Sequence, residues 1–174
     1  MNDTFVKYIA DREHYTEVLE RISKVKHHLW IGTANIKDLH MRKGNSSTPF
    51  LAIIDSLIKK GVEVRLIYAK EPGSAFRENF DKYPRLAESL ERILYPRVHF
   101  KLMIFDLEMV YIGSANLTGA GIGMKSELRR NFETGILTND PNIVEAVINP
   151  FDGVWMGSHY KKCGRKEYCG DRIV

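Results

Sequence analysis

His99, Lys101, Ser114 and Asn116 stand in one short stretch, and together they could do phosphorus chemistry. The stretch reads His99-Phe100-Lys101, four residues, Asp106, six residues, then Gly113-Ser114-Ala115-Asn116. An imidazole can attack a phosphorus centre as a nucleophile. An ammonium and an amide can hold the non-bridging oxygens, and a serine hydroxyl can add a further hydrogen bond. No acidic cluster lies among these residues, so no metal ion and no cofactor is expected in the site.

For that chemistry the four side chains must converge, and strand geometry supplies the means. Side chains alternate along an extended chain, so a strand from Val98 to Phe105 places His99 and Lys101 on one face. The same rule groups Ser114 and Asn116 near the end of the next strand, Met109 to Gly113. Asp106-Leu107-Glu108 is then the connection of a hairpin. Asp106 lies five residues from Lys101 and faces away from it, so it is read as fixing the hairpin rather than as an acid or base. Gly113 is read as serving close packing or turn geometry. On a neighbouring strand Glu133, in step with Asn131, is the expected carboxylate partner of the imidazole, fixing its tautomer.

The flanking chain alternates strands and helices. Apolar Val18, Leu19, Ile22 and Val25 predict an amphipathic helix from Tyr15 to His27, followed by a strand from Leu29 to Ala34. Lys43 to Thr48 reads as a polar loop. Pro49 then opens a helix to Lys60 that Gly61 terminates, and Val62 to Tyr68 is the next strand. A polar helix is predicted over Ser74 to Ile93, kinked or split at Pro84. After the hairpin come a glycine-rich loop (Thr118 to Gly123), a strand (Asn131 to Leu137) and a helix opened by Asp140-Pro141 that runs towards Trp155. This order predicts an α/β fold in which helices sandwich a mixed sheet. Ile31-Gly32-Thr33-Ala34-Asn35-Ile36 echoes Ile112-Gly113-Ser114-Ala115-Asn116-Leu117. It lacks a preceding His-x-Lys and reads as a similar strand end, not a second site.

The pattern His-x-Lys-x4-Asp-x6-Gly-Ser-x-Asn resembles the signature of the phospholipase D superfamily, the HKD phosphodiesterases, at every fixed position. His159-Tyr160-Lys161 is a decoy, because Lys166 stands where the Asp would be. The resemblance extends to Arg130–Ile136, which looks like the family's downstream strand with Asn-x-Glu, and to Ile54–Tyr68, which looks like its helix, glycine turn and strand. It implies a phospholipase D-like fold and a phosphohistidine intermediate on His99, splitting one hard displacement into two. Family members carry two motif copies, or one copy in a chain that dimerises. A single copy therefore implies a homodimer whose shared site holds His99 from each subunit.

The 174 residues are expected to form a single domain, with a basic, cysteine-containing C-terminal tail at about 158–174. A net charge of +4 and a pI near 9.0 are compatible with a polyanionic partner. Arg129, Arg130, Lys161, Lys162, Arg165 and Lys166 are the candidate nucleic-acid contacts, with Tyr160 and Tyr168 placed to stack on single-strand bases. No secretory signal and no bilayer-length apolar run is read, so a cytoplasmic protein without stable membrane association is expected. Cys163 and Cys169, with His159 and Asp171, lack the usual ligand spacing of a zinc site, and free thiols are expected. The leading functional expectation is a metal-independent endonuclease on DNA, with RNA as a further nucleic-acid substrate. The alternatives are a phospholipid hydrolase or transphosphatidylase, and a nucleic-acid-binding module with little turnover.

Overall fold

The computed structural model describes residues 3–43 and 46–169. Seven strands form one mixed sheet in the order β1-β9-β8-β7-β2-β5-β6. They are β1 (Val6–Ala10), β2 (His28–Thr33), β5 (Glu63–Tyr68), β6 (Glu91–Leu94), β7 (Leu102–Phe105), β8 (Met109–Gly113) and β9 (Thr134–Thr138). β2, β5 and β6 run parallel, and every other neighbouring pair in this sheet is antiparallel. The helices are α1 (Phe50–Lys59), α2 (Ser74–Phe80), α3 (Pro84–Ser89) and α4 (Pro141–Trp155).

Alternation along the strands divides the core in two. Leu29, Ile31, Val64, Leu66, Met103, Phe105 and Tyr111 pack on one face with residues of α1, α2 and α3. Their neighbours Trp30, Ile67, Leu102, Ile104 and Val110 pack on the other with Val144, Val147 and Phe151 of α4. Near-continuous apolar runs such as Leu102–Phe105, buried at every position, are what a sheet covered on both sides requires. The expected α/β sandwich is therefore the observed one.

Several local expectations are corrected. The segment Tyr15–His27 is not an α-helix but a wide π-helical turn, His14–Leu19, running into a tight 3₁₀ segment, Glu20–Lys24. Its buried residues are His14, Tyr15, Val18, Leu19 and Ile22, so the predicted apolar face is kept although the backbone is not α-helical. The loop read at Lys43–Thr48 is part of a separate hairpin, β3 (His40–Lys43) with β4 (Ser46–Pro49). The helix read over Ser74–Ile93 splits at Pro84, as expected, but its end is strand β6, pairing in parallel with β5. β1 went unread. Gly61 takes the left-handed conformation (φ +86°) after α1, and the Asp140 side chain accepts from the Asn142 and Ile143 amides at the start of α4.

Candidate active site

The C-terminal ends of β2 and β8 and the N-terminal ends of β7 and β9 share one edge of the sheet, and the motif side chains gather there. His99 and Lys101 precede β7 instead of lying within it, as the segment 98–101 is extended coil. The ladder still reaches Lys101, whose carbonyl accepts from the Gly113 amide at 3.0 Å. Phe100 is fixed by a glycine: a Cβ on Gly32 would collide with its ring. Pinning Phe100 orients the side chains on either side of it.

Lys101 is buried and His99 exposed. The Lys101 ammonium donates to the His99 carbonyl at 2.6 Å and lies 3.1 Å from Nδ1 and 3.3 Å from Nε2 of the imidazole. The ammonium lies within hydrogen-bond distance of both ring nitrogens and so holds the imidazole beside it. Burial lowers the Lys101 pKa from the ordinary lysine value, with the Glu133 carboxylate pulling it the other way.

Asn116 is oriented by the strand-end echo. Its Oδ1 accepts from the Asn35 amide at 3.1 Å, so the two Nδ2 protons remain to donate. Thr33 Oγ1 donates to the Asn35 carbonyl (2.9 Å) and accepts from the Leu117 amide (3.2 Å), while Ile36 and Leu117 form a parallel bridge. The two similar sequences therefore pair with each other. The echo was the signal for these positioning residues, although the sequence reading assigned Asn35 and Thr33 no role.

Ser114 and Glu133 are arranged differently from the expectation. The Ser114 hydroxyl donates to Glu133 Oε2 in a short hydrogen bond and accepts from the Thr134 amide at 3.0 Å. Glu133 Oε1 accepts from Asn131 Nδ2 at 3.0 Å. Among the described contacts, the carboxylate thus serves Ser114 and Asn131 and not the imidazole. Gly113 cannot carry a side chain, because a Cβ would collide with the Tyr111 hydroxyl and stand 2.7 Å from the Thr134 carbonyl. Tyr111 lies beneath the Gly113–Gly135 pair, and buried His14 meets its ring edge-on at 5.6 Å.

Asp106 sits at the opposite end of the hairpin. With φ +52°, its carboxylate accepts from the amides of Lys26, His27 and His28 and ties the turn to the start of β2.

Of the basic residues, Arg129 is exposed, whereas Arg130 is mostly covered and lies 3.8 Å from Asp11. Lys161, Lys162 and Arg165 are exposed; Lys166 is half-buried and sits over the Tyr160 ring, and Arg165 sits over Tyr168. Residues 158–169 pack back onto the sheet: Cys163 joins Tyr95 and Val98 in the core on the α4 side, beside the segment leading into His99. Cys163 and Cys169 are buried and not joined in a disulfide, and Asp171 lies outside the described residues. Among the described residues no cluster of three or more His, Cys, Asp or Glu side chains could hold a metal ion, and no helix is long and apolar enough to cross a membrane.

Residues 18–155 match the family model described as cardiolipin synthase, PLD-like domain. No curated protein matches the chain. Among solved structures it is similar to NucT from Helicobacter pylori, with a TM-score of 0.66 and 17% identity over 96% of this chain and 98% of that one. Nuc from Salmonella typhimurium, a phospholipase D family member, superposes with a TM-score of 0.65 and 16% identity over 99% of this chain and 100% of its own. The phosphatidylserine synthase of Haemophilus influenzae gives 0.57 and 13%, covering 83% of this chain and 35% of that one.

Proposed function

Because the chain belongs to the phospholipase D-like family, we propose that it is a phosphodiesterase that cleaves nucleic acid through a covalent phosphohistidine on His99. The observation that carries this reading is the exposed imidazole held by the buried Lys101 ammonium, at an edge where Asn116 has Nδ2 protons to donate. A ring nitrogen of His99 bonds to phosphorus as the ester P–O bond breaks. A second group protonates the departing oxygen, then takes a proton from water as the hydroxide attacks phosphorus and the P–N bond breaks. Lys101 and Asn116 meet the charge on the non-bridging oxygens, and Ser114 joins them by exchanging its Glu133 contact for phosphate.

The second group is His99 of another copy. One motif supplies one imidazole, and a two-fold homodimer brings the same residue from both subunits to the axis. The exposed cations Arg129, Lys161, Lys162 and Arg165 favour a polyanionic substrate over a neutral one. The match to a cardiolipin synthase model and the likeness to a phosphatidylserine synthase favour a second reading, a phospholipid hydrolase or transphosphatidylase.

Plasmid DNA, RNA and phosphatidylglycerol vesicles, each with excess chelator, separate these readings. Cleavage of nucleic acid under chelation, with 32P retained on His99 after acid-free trapping, is the expected result. Strict dependence on added magnesium would overturn the chemistry, and turnover of lipid alone would overturn the substrate.

A further inference from the structure

Aromatic stacking on unpaired bases was expected from Tyr160 and Tyr168; in the structure Tyr160 is half-buried with Lys166 over its ring, and Tyr168, 62% exposed, carries Arg165 over one face. A more exposed ring, with no cation over it among the described contacts, stands beside the candidate site. Phe132 is 97% exposed and Leu128, four residues earlier, 96%. Neither was singled out by the sequence.

The backbone around them is held by hydrogen bonds. The Met124 and Lys125 amides donate to the Gly119 carbonyl, those of Arg129 and Arg130 to Ser126, and that of Asn131 to Ala120. Phe132 is therefore clamped on both sides: Asn131 is anchored to Ala120, and Glu133 is bonded to Ser114 of the motif. This geometry presents a ring to solvent at the lip of the candidate active site. Exposing so much apolar surface next to a reactive centre marks a binding element.

We propose that Phe132 is a stacking platform for an unpaired nucleobase flanking the cleaved bond, with Lys125 and Arg129 on the adjacent phosphates. The enzyme then engages single-stranded nucleic acid in preference to a fully paired duplex. This rests on the nucleic-acid reading above and narrows it. Every base has a π-face, so one ring serves without sequence preference. A paired base keeps its faces inside the stack and offers none. Charge favours this occupant over a second copy of the chain. Exposed Lys125 and Arg129 outnumber Glu127 in the loop, and about a two-fold axis they would face their own like charges, whereas a phosphate backbone complements them.

The test measures fluorescein-labelled oligothymidine binding by anisotropy, in a His99→Ala background that prevents cleavage. Phe132→Ala should weaken binding roughly five- to hundredfold, the range for one lost base stack, and Phe132→Trp should preserve it. On an oligonucleotide of abasic sites Phe132→Ala should change nothing. Equal losses on the abasic and thymidine strands would overturn stacking. A shift of Phe132→Ala from dimer to monomer in sedimentation would make the ring a contact between copies and overturn the proposal. If the unsubstituted protein cleaves DNA and Phe132→Ala cleaves it equally well, this inference alone falls. If the protein neither binds nor cleaves any oligonucleotide, the nuclease reading falls with it.

Discussion

Removing the Asp106 carboxylate should unfold this protein more easily without slowing its chemistry, although Asp106 belongs to the same motif as the proposed nucleophile His99. Asp106 lies about 20 Å along the hairpin from His99, at roughly 3.3 Å per extended residue. Its Oδ1 accepts from the His27 amide at 2.7 Å, from His28 at 3.0 Å and from Lys26 at 3.1 Å. The His28 amide is part-buried, and its bond to a charged acceptor contributes about 1.5 kcal/mol. Lys26 and His27 are exposed, so water replaces their acceptor and the two together contribute only about 0.5 kcal/mol. Alanine also tolerates the left-handed backbone at φ +52° less well, at about 1 kcal/mol. Asp106→Ala should therefore cost about 3 kcal/mol, which lowers Tm by about 6–12 °C at this chain length. Asp106→Asn, which keeps an acceptor and tolerates that backbone, should cost about 1 kcal/mol.

The pH dependence has a definite sign. Burial pushes the Asp106 pKa up, but the amides of His27, His28 and Lys26 outweigh it and hold it below 3.8. The stabilisation is present above 3.8 and is lost as pH falls through the lower folded value. The difference in Tm between wild type and Asp106→Ala should accordingly shrink in that acid window. Thermal melts followed by circular dichroism, with kcat measured where both proteins are folded, check all of this. An unchanged Tm together with a collapsed kcat would refute the structural role.

Three further outcomes follow from the site. His99→Ala should abolish turnover and phosphate labelling while retaining fold, and mixing it with wild type should give heterodimers with damaged sites. A monomer at full specific activity would remove the shared site. Lys101, held below 10.5 by burial, should lose its charge at a lower pH than free lysine. In that window kcat/KM should fall while stability rises, since the unfolded chain binds more protons there. An alkaline limb that persists in Lys101→Arg would assign the titration to another group. Gly113→Ala should cost about 1–3 kcal/mol by driving Tyr111 aside and should depress cleavage by displacing Ser114; wild-type melting and activity would contradict the packing described.

The site was more legible than the elements around it, and the reason is physical. His99, Lys101, Gly113, Ser114 and Asn116 occur at fixed local spacings on one hairpin, so neighbouring residues encode their grouping. β1 and β6 are edge strands whose partners come from distant sequence, and Glu91-Arg92-Ile93-Leu94 has one buried residue to signal a strand. The π-helical turn at His14–Leu19 was not legible, because its buried residues recur at the i, i+4 spacing that an α-helix also shows. The Glu133 partner was misjudged for a different reason. Strand parity put it near the site but could not say whether Ser114 or His99 lay within reach, a distinction set by the Thr134 and Ser114 backbone contacts.

The pairing of β1 with β9 has a consequence for synthesis of the chain. Thr138 Oγ1 donates to the Phe5 carbonyl across 133 residues, and Thr134 of the same late strand positions Ser114. At about 5–20 residues per second, β1 waits roughly 6–26 seconds for its partner to leave the ribosome. Until then Ser114 has neither the Thr134 amide nor Glu133 to hold it. His99 and Lys101 therefore leave the ribosome ahead of Glu133 and Thr134, the groups that position Ser114.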